Sequence, residues 1–148
     1  MRLLRWVALS FVPAAIGFRF PAPEYYASLR KPDWAPPGWL FGPVWSALYA
    51  LMGIAAWLVA GKNASASRTP LGLWGVQLAL NAAWTPIFFG LRAPGLALVN
   101  ISLLLAAIVG TMAAFFARRP LAAGLLVPYL GWVSFAAALN FAIWRRNR

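Results

Sequence analysis

The stretch Ala93-Pro-Gly-Leu-Ala-Leu-Val-Asn-Ile-Ser-Leu-Leu-Leu-Ala-Ala-Ile-Val-Gly-Thr-Met-Ala-Ala-Phe-Phe-Ala117 runs for 25 residues without a charge. A helix needs about 20 mostly apolar residues to cross roughly 30 Å of hydrocarbon. Three more charge-free runs surround it: Trp34–Gly61, Thr69–Leu91 and Pro120–Trp144. Only 10% of the chain is charged, against about 25% in soluble domains. The reading is an all-α integral membrane protein.

Working outward, the links between these runs are short. Lys62–Arg68 is small and polar, Arg92 stands nearly alone, and Arg118-Arg119-Pro120 is a tight turn. Short links make sequential helices antiparallel neighbours. At the N-terminus, Trp6–Phe18 is a charge-free run of thirteen residues. It suits either the apolar region of a signal peptide or a short first helix whose flanking arginines reach both interfaces. Arg19-Phe20-Pro21 is a poor cleavage context and favours the helix. Pro13 kinks such a helix.

This gives a single domain, residues 1–148, as a five-transmembrane-helix bundle with helices near 3–19, 40–61, 70–90, 94–117 and 121–144. Between the first two lies a Pro-rich loop, Arg19 to about Leu40, with five prolines and the only acids, Glu24 and Asp33. Five crossings place the termini on opposite sides. Six Lys or Arg then fall at one end and seven at the other, so the positive-inside rule does not choose an orientation.

Absences narrow the function. The chain has no His and no Cys, which removes imidazole or thiolate metal sites, disulfides and the His-dependent nucleophiles. Two acids in one loop cannot build a proton relay through the membrane. The net charge of +11 sits between and beyond the apolar runs, where it anchors the protein to the lipid bilayer. No basic polar surface exists for nucleic acid.

Three helices carry rings and hydrogen-bonding groups on one face: Trp45, Tyr49 and Met52; Gln77, Asn81, Trp84 and Phe88; Tyr129, Trp132, Ala136 and Asn140. Aromatic packing with amide bonds between helices is the plain explanation. Converging, the same faces enclose a flat apolar pocket with few polar groups, the make-up of a small-molecule site. Small residues also recur every fourth position, as Gly75, Ala79 and Ala83 and as Ala106, Gly110 and Ala114. Such ridges serve packing within the bundle or a homodimer.

Four motifs in order, Lys31-Pro-Asp-Trp-Ala-Pro-Pro-Gly-Trp39, Phe41-Gly-Pro-Val-Trp-Ser-Ala-Leu-Tyr49, Gln77-Leu-Ala-Leu-Asn-Ala-Ala-Trp-Thr-Pro-Ile-Phe-Phe-Gly90 and Val127-Pro-Tyr-Leu-Gly-Trp-Val133, resemble the TspO/MBR family over about residues 10 to 145. These are tryptophan-rich sensory proteins related to the mitochondrial translocator protein, the peripheral-type benzodiazepine receptor. The resemblance implies a five-helix bundle that binds porphyrins, either protoporphyrin IX or haem, in a cavity under the first loop, with no obligatory cofactor. Carried over, the ligand-facing residues are Tyr26, Trp34, Trp45, Asn81, Trp84 and Trp132, with Tyr49 added by the shared face of its helix. Trp45 and Trp132 match tryptophans tied in bacterial relatives to light-dependent degradation of protoporphyrin IX. Arg30 and Lys31 are the expected partners of the propionates.

One segment departs from the animal members. Leu139-Asn-Phe-Ala-Ile-Trp-Arg145 carries Phe141 where their sterol motif requires Tyr. That argues against strong sterol binding and for a bacterial membrane. The expected function is a porphyrin-binding sensor, carrier or scavenger rather than an enzyme, with tryptophan-based photochemistry as the alternative.

Overall fold

The computed structural model describes residues 2–20, 23–61 and 64–147. Among them every regular element is helical. They are α1 (Arg2–Ser10), α2 (Val12–Gly17), α3 (Pro23–Ser28), α4 (Phe41–Ala60) after a 3-10 turn at Gly38–Leu40, α5 (Ala64–Thr85) closed by a π turn at Pro86–Gly90, α6 (Pro94–Arg118), α7 (Pro120–Leu125) and α8 (Val127–Asn147).

Two of the expected helices are each split, and proline explains both breaks. Phe11 (φ −86°, ψ 0°) separates α1 from α2 and Leu126 (φ −89°, ψ −7°) separates α7 from α8. Each stands two residues before a proline, Pro13 or Pro128. Proline has no N–H to give to the carbonyl four residues back, and its ring collides with that carbonyl. The Pro-rich loop is also more ordered than its composition predicts. Pro23 opens α3, a position where a missing N–H costs nothing, and Glu24 complements the helix dipole in the first turn. Helix α5 starts at Ala64 rather than 70 and carries Pro70 inside it.

Among the described residues, three stretches, Gly38–Ala60, Pro94–Arg118 and Pro120–Asn147, are long and apolar enough to span a membrane. The surface of α6 states the solvent directly. Its inward stripe includes Ala97, Ile101, Leu104, Ile108 and Phe115, and its outward stripe is equally apolar, with Leu96, Val99, Leu103, Val109 and Phe116 exposed. A helix apolar all round belongs in lipid or in the core of a large protein.

The chain runs back and forth between two ends. At one, Arg2 Nη1 donates to the Gly61 carbonyl at the close of α4 (3.2 Å). At the other, the side chain of Asn147 at the end of α8 both donates to and accepts from the Arg30 backbone (2.9 and 3.0 Å). Helix α1 lies on α4, α2 on α5, and α6 packs on α5, α7 and α8. Gly53 permits the first of these contacts, since a Cβ there would lie 2.5 Å from the Cα of Val7.

Candidate functional site

Above Met52 the bundle opens. The first half of α4 projects Phe41, Trp45 and Tyr49, three rings at four-residue spacing that share one face. Beside them lies a cavity of about 760 Å³, walled by those rings, by Asn81, Trp84 and Phe88 of α5 and its π turn, and by Trp132 and Asn140 of α8. Helix α2 forms another wall through Pro13, Ala14 and Gly17, and Tyr26 and Ala27 of α3 lie across the loop end. The volume falls within the range of small-molecule sites, about 300–1,000 Å³.

Ring contacts set the shape of the wall. Trp45 stacks on Tyr49 (5.5 Å between centroids, 24°) and meets Trp132 edge-on (6.4 Å, 86°). Phe41 stands edge-on to both Trp132 (5.9 Å) and Tyr26 (5.8 Å). Across the cavity Trp84 stacks on Phe88 (4.8 Å, 22°). Edge-to-face and offset pairs hold rings without extra polar partners, each contributing about 0.5–1.5 kcal/mol beyond burial. The result is a cavity lined on several sides by aromatic rings.

The polar groups beneath it are committed to one another. Tyr49 donates to Asn81 Oδ1 (3.0 Å), Asn81 Nδ2 to Tyr129 Oη (2.8 Å), and Tyr129 to Gln77 Oε1 (2.7 Å). Trp84 Nε1 donates to Asn140 Oδ1 (3.0 Å), and Asn140 Nδ2 to the Pro94 carbonyl (2.9 Å). These bonds join α4, α5, α6 and α8 where no water would satisfy them. Trp132 is different: its Nε1 is buried with no hydrogen-bond partner among the described residues.

Of the residues expected at the site, Tyr26, Trp45, Tyr49, Asn81, Trp84 and Trp132 share the cavity wall. Trp34 does not; half exposed, it packs edge-on against Phe135. Lys31 also lies off the wall. Its ammonium donates to the Tyr26 and Leu29 carbonyls (2.6 and 3.3 Å) and sits 4.7 Å above the Tyr26 ring. Arg30 is exposed beside Asn147. The Tyr26 phenol donates to the Pro36 carbonyl (3.0 Å), and burial raises its pKa. The wall hydroxyls of Tyr26 and Tyr49 are thus both engaged as donors.

Sequence reasoning passed over Phe41, Phe11 and Phe18. Phe41 was legible, one helical turn before Trp45 on the same stripe. Phe11 and Phe18 carry no such signal, because the break between α1 and α2 decides where they point.

A sequence profile of the TspO/MBR family matches residues 6–145. Among similar proteins, the translocator protein of Homo sapiens is 47% identical over 138 residues, covering 89% of this chain and 82% of its own. The tryptophan-rich protein TspO of Chlorobaculum tepidum is 47% identical over 129 residues, with 86% and 82% covered. The tryptophan-rich sensory protein of Cereibacter sphaeroides is 39% identical over 144 residues, with 97% and 90% covered. With its apolar helices, its lipid-facing surface and these matches, the chain is a multi-pass integral membrane protein and belongs to the TspO/MBR family.

Proposed function

We propose that the protein takes up a porphyrin-type tetrapyrrole from the bilayer and holds it in the aromatic cavity as a sensor, carrier or scavenger. The observation that carries this reading is a cavity of about 760 Å³ walled by aromatic rings, whose amides are already engaged by phenols, an indole and a backbone carbonyl. Such a wall offers ring faces to a planar hydrophobe and little to an ion. Stacking on Trp45, Trp84 and Trp132 contributes most of the affinity. Arg30, exposed at the loop end, and Lys31 serve the propionates at the rim.

The same proposal includes five crossings, made by α1–α2, α4, α5 with its π turn, α6, and α7–α8. A second copy packs on the ridge Gly75, Ala79 and Ala83, which floors a shallow apolar groove beside α1 and α2.

A second reading, light-dependent breakdown of bound protoporphyrin IX, draws on the edge-on pair of Trp45 and Trp132 at the cavity wall. Titration of the detergent-purified protein with protoporphyrin IX, in darkness and under light, separates the two for wild type and Trp132→Phe. Saturable dark binding near one per chain is the expected result, and its absence defeats the proposal. Loss of porphyrin absorbance only in illuminated wild type favours the second reading.

A further inference from the structure

The cavity is not sealed, and the position of its opening follows from Pro13. Along α4, Gly42, Ser46 and Gly53 lie on one stripe, since four and seven residues are close to whole turns. At Gly53 that stripe is covered by α1 so closely that Val7 leaves no room for a Cβ. The segment is last tied to α4 by Ser10, whose hydroxyl lies 2.6 Å from the Tyr49 carbonyl, and by the Phe11 ring, edge-on to Tyr49 at 5.6 Å. The chain then breaks at Phe11, and α2 departs to pack on α5. The stripe is left bare just where the cavity lies: Gly42 and Ser46 line it and are exposed. Phe18 at the end of α2, also a lining residue, is 83% exposed on the opposite lip.

Resting on the reading of the cavity as a ligand site, we infer that this gap between α2 and the first half of α4 is a lateral mouth. Through it an apolar ligand passes between the hydrocarbon and the cavity without crossing the loop. The residues at its sill suit passage. Gly42 and Ser46 present almost no side chain, and a Cβ on Gly42 meets nothing within 4 Å. Above the mouth, the loop is held by the paired bonds between Asn147 and Arg30, by Trp34 on Phe135, and by the Arg92 guanidinium 5.1 Å over the Tyr25 ring. The water-side route is the fastened one; the lipid-side route is open.

Because the chain has no cysteine, Ser46→Cys places a single spin label on the sill. In phosphatidylcholine vesicles its collisions with oxygen should exceed those with a water-soluble nickel chelate, as they should for a Leu103→Cys label on the exposed face of α6. A label at 46 that prefers the chelate, or that neither probe reaches, overturns the inference. In a second arm, Gly42→Phe places a ring on the sill from a position where a Cβ meets nothing within 4 Å. It should slow both association and dissociation of protoporphyrin IX supplied within the vesicles by about tenfold, with thermal stability unchanged. Unaltered rates overturn the inference as well. If wild type binds no porphyrin, the proposed ligand fails while the spin label still decides whether the mouth opens to lipid.

Discussion

The phenol of Tyr49 on α4 and the amide of Asn81 on α5 are joined by a 3.0 Å hydrogen bond at the floor of the cavity. Through Asn81 the bond continues to Tyr129 and Gln77, so one amide holds three helices in register. A buried donor without its acceptor costs about 1–3 kcal/mol. Asn81→Leu should therefore destabilise the fold by that amount and Tyr49→Phe by less, since Asn81 keeps Tyr129. The double variant should fall short of the sum by about 0.6–1.7 kcal/mol. Unfolding in detergent across the four-member cycle measures the coupling, and strict additivity would show the bond contributes nothing of its own.

Gly53 makes a sharper steric prediction. A single methyl there meets the Val7 backbone at 2.5 Å, and backbone cannot step aside as a side-chain tip can. Gly53→Ala should cost about 1–3 kcal/mol and part α1 from α4. Gly110→Ala, where a Cβ meets nothing within 4 Å, should be neutral in the same thermal assay.

Arg30 and Lys31 are adjacent but differently employed, so their substitutions should differ. Arg30→Gln should weaken protoporphyrin IX by up to roughly fivefold, an exposed charge pair being worth about 0.2–1 kcal/mol, and leave its dimethyl ester unaffected. Lys31→Gln also removes the bonds to the Tyr26 and Leu29 carbonyls and should weaken both ligands. Fluorescence titration with the acid and the ester discriminates; equal losses on Arg30→Gln would exclude a propionate contact.

Tyr26 gives the loop a pH dependence of known sign. Burial raises its pKa above the ordinary 10.0, so in alkali the folded chain retains a proton the unfolded chain has released. Its contribution is full below pH ~10 and declines as pH rises from there through the folded value. The difference in melting temperature between wild type and Tyr26→Phe should be constant to that point and shrink beyond it. A difference that grows with pH would show that burial of the neutral phenol is not what Tyr26 supplies.

The apolar runs by themselves determined a helical membrane protein, because a charge-free stretch near 20 residues has no other way to satisfy its backbone in hydrocarbon. Helical spacing also grouped Trp45 with Tyr49 and Asn81 with Trp84, because residues four and three apart share a face whatever packs against it. Pro13 and Pro128 signalled interruptions one at a time. What they do to the bundle was not written locally: only the packing of α2 on α5 rather than on α4 opens the gap beside Gly42 and Ser46. Tertiary structure likewise set Trp34 on Phe135 and Lys31 on the loop carbonyls, off the cavity wall where the family resemblance had put Trp34. Local sequence settles which groups share a helix face. Which of those groups find each other, and where space is left between them, depends on contacts between residues far apart in the chain.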